Sequence, residues 1–366
     1  MKLVLFLLIV VNTFTYGQSI SYNFDTNNLN TDYHEALSVL EDYLNSNPQN
    51  QEKNTYWNTA VQQENITFDF LENEFEPSLY MGYPIHILSI KKKENHYTIK
   101  VQFSYCNPDN SPNILAIVNY VVIEQNGTFK LYNALTINRK KWDCTTVGFV
   151  DFYYPKSHKF NHEKALKLNE FIISTCKNFN VTPNTIEYYL DEDFDNIQQL
   201  KGIDYYLGMN GDNTPKGKAS GNKVYCGGLG EYYTHEVFHA LIDHNYTNSH
   251  FWASEGIATF LCGSRGQSLS WHITQANTYF KLHKDIDLNE ILTLKNIDNI
   301  TSYHYVIGGL IAKKIFEKGG WKLLSQFLNS GKTNTDYYKA INTYLGIKKE
   351  NLNIYLRQQL DIEANI

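Results

Sequence analysis

The sequence predicts an α+β chain of two domains, and three observations carry that prediction. A helical pattern near the start is followed by a run of long strands in which apolar and polar residues alternate. Near residue 145 the pattern changes, and strands begin to alternate with helices. From residue 288 onward, segments read as helices punctuated by Gly or Asn. The expected architecture is a helix-plus-antiparallel-sheet domain over residues 18–144, then a second α+β domain over 145–366 that ends in an all-α lobe.

The first 17 of the 366 residues stand apart. Met1-Lys2 precedes the apolar run Leu3 to Val11, and a polar tail ends at Gly17. One positive charge, an apolar stretch and a small residue before the cut make a secretory signal peptide. The run is shorter than the roughly 20 residues that a membrane span needs. Cleavage is expected between Gly17 and Gln18, with no membrane anchor in the mature chain and a secreted or periplasmic location. Roughly 350 residues then remain, enough for two domains.

Composition excludes more than it assigns. The net charge is -6, and the basic runs Lys91-Lys92-Lys93 and Arg139-Lys140-Lys141 are short turn clusters, so no nucleic-acid partner is expected. The 28 Tyr and 20 Phe suit an aromatic-rich exported surface but fix no ligand. Five cysteines in an exported chain permit disulfides and leave at least one thiol over. Cys176 lies on the apolar face of a helical pattern and is expected to be a buried free thiol. Cys106 with Cys144, and Cys226 with Cys262, are the pairings to test first.

In chain order, His34, Ala36, Leu37, Leu40, Tyr43 and Leu44 recur at helical spacing between about Asn23 and Asn47, and an Asn- and Gln-rich loop runs to residue 64. Strands are expected at Pro84–Ile90, His96–Tyr105, Ile114–Glu124 and Phe129–Ile137, with Gln125-Asn126-Gly127 as a hairpin turn. By element order this domain resembles NTF2-like or cystatin-like accessory domains. Val147–Tyr154 reads as one strand stopped by Pro155, and a helix follows from Asn161, its N-cap, to Phe179. Thr185–Leu190 is a strand, Asp195–Leu200 a short helix and Ile203–Leu207 another strand. Met209–Asn222, rich in Gly, Asn and Lys, reads as a long loop, and Lys223–Cys226 is a short strand ended by Gly227-Gly228.

The next stretch carries the chemistry. His235, Glu236 and His239 form H-E-x-x-H. Residues four apart share a helix face, so both imidazoles can reach one ion while Glu236 sits beside them. Two neutral imidazoles suit zinc, and a free carboxylate beside a zinc-bound water can take its proton. A catalytic zinc needs a third protein ligand. The metzincin pattern puts Gly and a third His where this chain has Ile242 and Asn245, which rejects that class. Asp243 and His244 are too close along the same helix to swing onto the ion. Glu255 fits better, on a helical pattern from Phe251 to Leu261 that Gly263 ends. Two antiparallel helices joined by a short loop bring such a carboxylate onto the histidine face, and Gly256 and Ala258 let them approach closely.

H-E-x-x-H followed by W-x-x-E-G-x-A, here Trp252, Glu255, Gly256 and Ala258, resembles the signature of the gluzincin metallopeptidases, especially the peptidase MA-like group. The resemblance covers roughly residues 145 to 360 and is specific at the two motifs. It implies a zincin-like fold, Zn2+ held by His235, His239 and Glu255, and Glu236 as general base acting on a peptide or protein substrate. It also implies that Lys223–Gly227 is the edge along which a peptide lies, with Tyr225, Gly227 and Gly228 in contact with substrate. Thermolysin-type members carry an Asp four residues after the ligand Glu, where this chain has Thr259.

Members of this group also show a Tyr shortly before a helix rich in small residues. Tyr305 sits best by spacing, and Tyr303 and His304 remain open. Each could donate to the oxyanion that develops on an attacked carbonyl. The expected activity is zinc-dependent peptide hydrolysis. The alternatives are a non-catalytic peptide- or ligand-binding protein on the same scaffold and a zinc hydrolase of another amide.

Overall fold

The computed structural model describes residues 20–48, 55–58, 68–209, 211 and 214–365. The expected signal peptide, residues 1–17, lies outside the described residues, as does most of the loop leading to residue 64. The chain divides into two units, residues 1–137 with 199–210, and residues 138–198 with 211–366.

The first unit is a six-stranded sheet with one long helix. Strand β1 (Ile20–Tyr22) pairs in parallel with β2 (Ile85–Lys93). From there β2, β3 (His96–Cys106), β4 (Pro112–Gln125) and β5 (Thr128–Tyr132) form an antiparallel meander. Helix α1 (Thr31–Leu44) starts later than expected and buries Ala36, Leu37, Leu40, Tyr43 and Leu44 of the expected face, while His34 is exposed. The Asn126-Gly127 turn has positive φ at both residues, the backbone that a two-residue hairpin asks for.

Two features of this unit differ from expectation. The returning strand stops at Tyr132, because the Asn133 side chain accepts the Leu135 N–H at 2.9 Å and starts a helical turn over Ala134–Asn138. The sheet also takes in β9 (Ile203–Tyr206), which pairs with Ala116–Val118 of β4 where β5 no longer does. That strand was expected from its residues, but it belongs to the first sheet and not to the domain spanning 145–366. The first unit accordingly closes at Ile137, not at residue 144, and takes back residues 199–210.

The second unit is built on a five-stranded sheet in the order β10-β11-β8-β7-β6. Strands β6 (Asp143–Val147) and β7 (Val150–Tyr154) form a hairpin where one strand was expected. The turn falls at Gly148, whose φ of 57° and contact with Asn169 leave no room for a side chain. Helix α2 (His162–Phe179) starts where Asn161 accepts the Lys164 N–H at 3.0 Å. It leads to β8 (Ile186–Asp191), which is parallel to β7. After the short helix α3 (Phe194–Leu200) come β10 (Lys216–Ser220) and β11 (Lys223–Gly227), the first antiparallel to the second and the second parallel to β8.

Helices then dominate. They are α4 (Thr234–Ile242), α5 (Phe251–Cys262), α6 (Leu269–Leu282), α7 (Tyr303–Leu328), α8 (Asn334–Leu345) and α9 (Leu352–Ala364). Gly319 (φ -155°, ψ 17°) and Gly320 (φ 59°, ψ -152°) leave the helical region and break α7 into two stretches, one ending at the glycines and one running from Trp321 to Leu328, and Leu288–Thr293 is a 3-10 turn capped by Asp287. Phe152, Tyr188, Leu190 and Val224 of the sheet pack with Leu168, Ile172, Phe238 and Leu241 of the helices in one core. No helix among the described residues is long and apolar enough to cross a membrane. All five cysteines are free thiols, so neither Cys106–Cys144 nor Cys226–Cys262 forms, while Cys176 is buried as expected. The Cys226 thiol points instead at the Gly230 carbonyl, 3.5 Å away.

Candidate metal centre

Helix α4 is apolar nearly all round. Val237, Phe238, Ala240, Leu241 and Ile242 are buried with both histidines, and Glu236 is half-buried. A helix of that kind belongs in a core, where an unpaired polar group is costly. Its two imidazoles therefore need partners, and each finds two kinds.

On the outer side, His235 Nδ1 lies 2.6 Å from the Gly263 carbonyl oxygen, and His239 Nδ1 lies 3.0 Å from Asp243 Oδ2. A carbonyl and a carboxylate only accept, so each Nδ1 carries a proton, and a neutral ring then offers its Nε2 lone pair to the inner side. On the inner side, the two Nε2 atoms face each other at 3.3 Å. Glu255 completes the triangle, with Oε2 3.3 Å from His235 Nε2 and Oε1 3.5 Å from His239 Nε2. All three ligand atoms fall within 4.8 Å of one another, on the residues singled out from the sequence.

The spacing tests what could sit between them. Nitrogens 2.0–2.1 Å from a tetrahedral ion stand about 3.3 Å apart, the edge of the coordination tetrahedron. Two lone pairs and a carboxylate oxygen at that separation repel one another until a cation or a proton lies between them. The donor set, two imidazoles and one carboxylate, suits zinc. Against the pull of burial, Asp243 and Glu255 hold the His239 imidazole well above its usual range. Burial opposes ionisation of Glu255, yet hydrogen bonds to His235 and His239 keep it below the ordinary carboxylate range. The two shifts are the two sides of one interaction, carboxylates raising the His239 imidazole and the histidines lowering the Glu255 carboxyl.

Glu236 and Tyr305 line the same cleft of about 530 Å³ as the three ligand residues. Burial raises the Glu236 carboxyl above its ordinary value, with His235 and His239 opposing the shift. The Tyr305 ring meets the His235 ring edge-on at 5.9 Å between centroids. Tyr303 is buried against Phe280, and His304 packs on Phe251 and Trp252. Of the three residues left open by the sequence, Tyr305 is the one that lines the cleft.

The expected substrate strand is displaced by one. Lys223–Gly227 lies between β10 and β8, so its backbone is paired on both sides, and Tyr225 is buried. Tyr225, Gly227 and Gly228 therefore do not form the edge. The edge is β10, whose Gly217, Lys218 and Ala219 line the cleft. A Cβ on Gly217 would fall 2.3 Å from Tyr233 and 2.7 Å from the Glu236 side chain. This strand lies directly on the carboxylate.

The sequence weighed Asp243 only as a ligand and Gly263 only as a helix end, and did not single out Ser254, yet all three contact the Nδ1 side of the histidines. Asp243 stands four residues after His239 on the same helix, a spacing at which side chains meet. That was the available signal.

No protein-family model and no curated protein matches the chain. Among solved structures it is similar to an M1 zinc metallopeptidase from Deinococcus radiodurans, with a TM-score of 0.32 and 12% identity over 77% of this chain and 63% of that one. It is also similar to a two-domain M1 zinc metallopeptidase mutant bound to L-arginine, with a TM-score of 0.32 and 12% identity over 77% of this chain and 62% of that one. A mutant of the Deinococcus radiodurans enzyme bound to a Tyr-Ser-Ala substrate gives a TM-score of 0.30 at 12% identity, over 77% and 62% of the two chains. The chain thus spans less than two thirds of the length of these structures, and likeness at this level decides nothing about chemistry.

Proposed function

We propose that the chain is an exported zinc-dependent peptidase of the gluzincin type, with zinc held by His235, His239 and Glu255. The observation that carries this reading is the convergence of two imidazole Nε2 atoms and a carboxylate at tetrahedral-edge spacing, in a cleft that also holds Glu236 and Tyr305. A zinc ion bound there supplies a Lewis acid that lowers the pKa of a water to about 7.

The chain's own residues supply the rest. Glu236 takes the proton as water attacks a peptide carbonyl and hands it to the leaving amine. Its half-buried position beside two histidines suits a carboxylate that must both accept and release a proton. The Tyr305 hydroxyl donates to the oxyanion that develops on the carbonyl. The outer edge of β10, whose Gly217, Lys218 and Ala219 line the cleft, is where an extended peptide lies by strand addition. The first unit, a helix on an antiparallel sheet, serves as an accessory domain without chemistry of its own.

Protein purified without added metal should contain one zinc per chain and should cleave members of a peptide library. A chelator should abolish cleavage, and Glu236→Gln should retain zinc while losing hydrolysis. Zinc without turnover in the parent would instead mark a binding protein on this scaffold. Cleavage of non-peptide amides alone would change the substrate class.

A further inference from the structure

We propose that Asp243 sets the tautomer of His239, by accepting its Nδ1–H and by turning the Ser254 hydroxyl away from the ring, and thereby governs how tightly the site holds zinc. The proposal rests on the zinc reading above. Asp243, the C-cap of α4, follows His239 by one helical turn, and Ser254 precedes Glu255 on α5, so the pair ties together the helices that carry the ligands.

The distances assign each hydrogen. Asp243 Oδ1 lies 2.7 Å from Ser254 Oγ, and Asp243 Oδ2 lies 3.0 Å from His239 Nδ1. A carboxylate only accepts, so the Ser254 hydroxyl donates to one oxygen and the imidazole N–H to the other. Ser254 Oγ also lies 3.3 Å from His239 Nδ1. In the native arrangement its hydrogen is turned toward Asp243, and only oxygen lone pairs face the ring.

Removing the Asp243 side chain then does two things. It deletes the acceptor that keeps the proton on Nδ1, and it frees the Ser254 hydroxyl to donate to Nδ1 instead. A donor there moves the ring proton to Nε2, the atom that faces His235 and Glu255 and must offer its lone pair to the metal. Ser254 is harmless beside Asp243 and harmful without it. A serine deletion should therefore rescue the aspartate deletion, which a merely structural role for Asp243 does not produce. The Asp243 side chain is 50% exposed, so its truncation leaves no buried void.

The test is zinc affinity, measured on the mature full-length protein by competition with a chromophoric chelator. Asp243→Ala should bind zinc about 10–100-fold more weakly than the parent. Ser254→Ala alone should stay within about threefold, and the double variant should return to within about tenfold of the parent. Asp243→Asn, which retains an acceptor oxygen, should also stay within about tenfold. Thermal unfolding of each metal-free protein, expected to match the parent, separates lost affinity from lost fold. Asp243→Ala with parental affinity overturns the pair, as does a double variant no tighter than Asp243→Ala. A parent that takes up no zinc overturns both the pair and the zinc reading.

Discussion

Gly256 and Gly308 touch backbone to backbone: a Cβ on Gly256 would lie 2.4 Å from the Gly308 carbonyl carbon. The contact is reciprocal, since a Cβ on Gly308 would lie 2.9 Å from the Trp252 carbonyl oxygen. Helices α5 and α7 cross there without side chains between them. Glu255 is the neighbour of Gly256, and Tyr305 precedes Gly308 by less than one turn. The crossing therefore sets how near the Tyr305 phenol stands to the ligand carboxylate.

Gly308→Ala should push the two helices apart, because the atoms that it meets are backbone and cannot rotate away. Overpacking of this kind costs about 1–3 kcal/mol. Catalysis should suffer more than folding, since a misplacement of roughly 1 Å costs about a hundredfold in rate. Calorimetry, zinc content and kcat measured together check the claim. An alanine variant with parental kcat would show that Tyr305 does not depend on the crossing.

The sequence showed that small residues allow a close helix contact at Gly256, but not which helix makes it. The partner is α7, more than 45 residues downstream, and not the neighbouring α4. The same limit explains β9 and β10. Ile203–Tyr206 has strand-forming residues, yet its partner β4 lies far back in the chain. Lys216–Ser220 lacks strand-forming residues and is held by pairing with β11, so its composition reads as loop. His235, Glu236, His239 and Glu255 were legible because a helix period and a coordination number constrain them locally. Asp243 was passed over because it was judged only as a ligand.

Hydrolysis should fall as pH drops through the Glu236 pKa, because only the ionised carboxylate can take a proton. Burial raises that pKa in the site without metal and a bound zinc ion would draw it back down, so the prediction is that an acid limb appears in kcat/KM. Glu236→Gln should lose about 10²–10⁴-fold in kcat, the usual worth of a positioned base. A pH–rate profile that stays flat down to pH 4 in the parent would remove Glu236 from that role.

The cysteines give a test that needs no substrate. Burial pushes the Cys226 and Cys262 thiols up to about 12, so neither is a thiolate at neutral pH. Cys106 and Cys144 are exposed. In the native protein a thiol reagent should label Cys106 and Cys144 quickly and leave Cys176, Cys226 and Cys262 unlabelled. In denaturant without reductant, all five should react. Fewer than five would reveal a disulfide.

Asp69 in the first unit is a buried carboxylate held by tyrosines. Its Oδ2 accepts hydroxyls from Tyr43 and Tyr120 at 2.9 Å and from Tyr80 at 3.2 Å, while Oδ1 accepts the Leu71 N–H at 3.0 Å. Asp69→Ala would leave three tyrosine hydroxyls short of their acceptor in the core and should cost about 3 kcal/mol or more. The pH dependence follows from the direction of the shift. Burial raises the Asp69 carboxyl above 3.8, with the Leu71 N–H and the tyrosine hydroxyls opposing it. The folded form therefore binds the proton more tightly than the unfolded one. That contribution to stability is full below 3.8 and is lost as pH rises through the folded value. Asp69→Asn should flatten this part of the stability profile. Calorimetric unfolding of parent and variant across acidic pH decides it, and parallel profiles would show that Asp69 titrates normally in the folded chain.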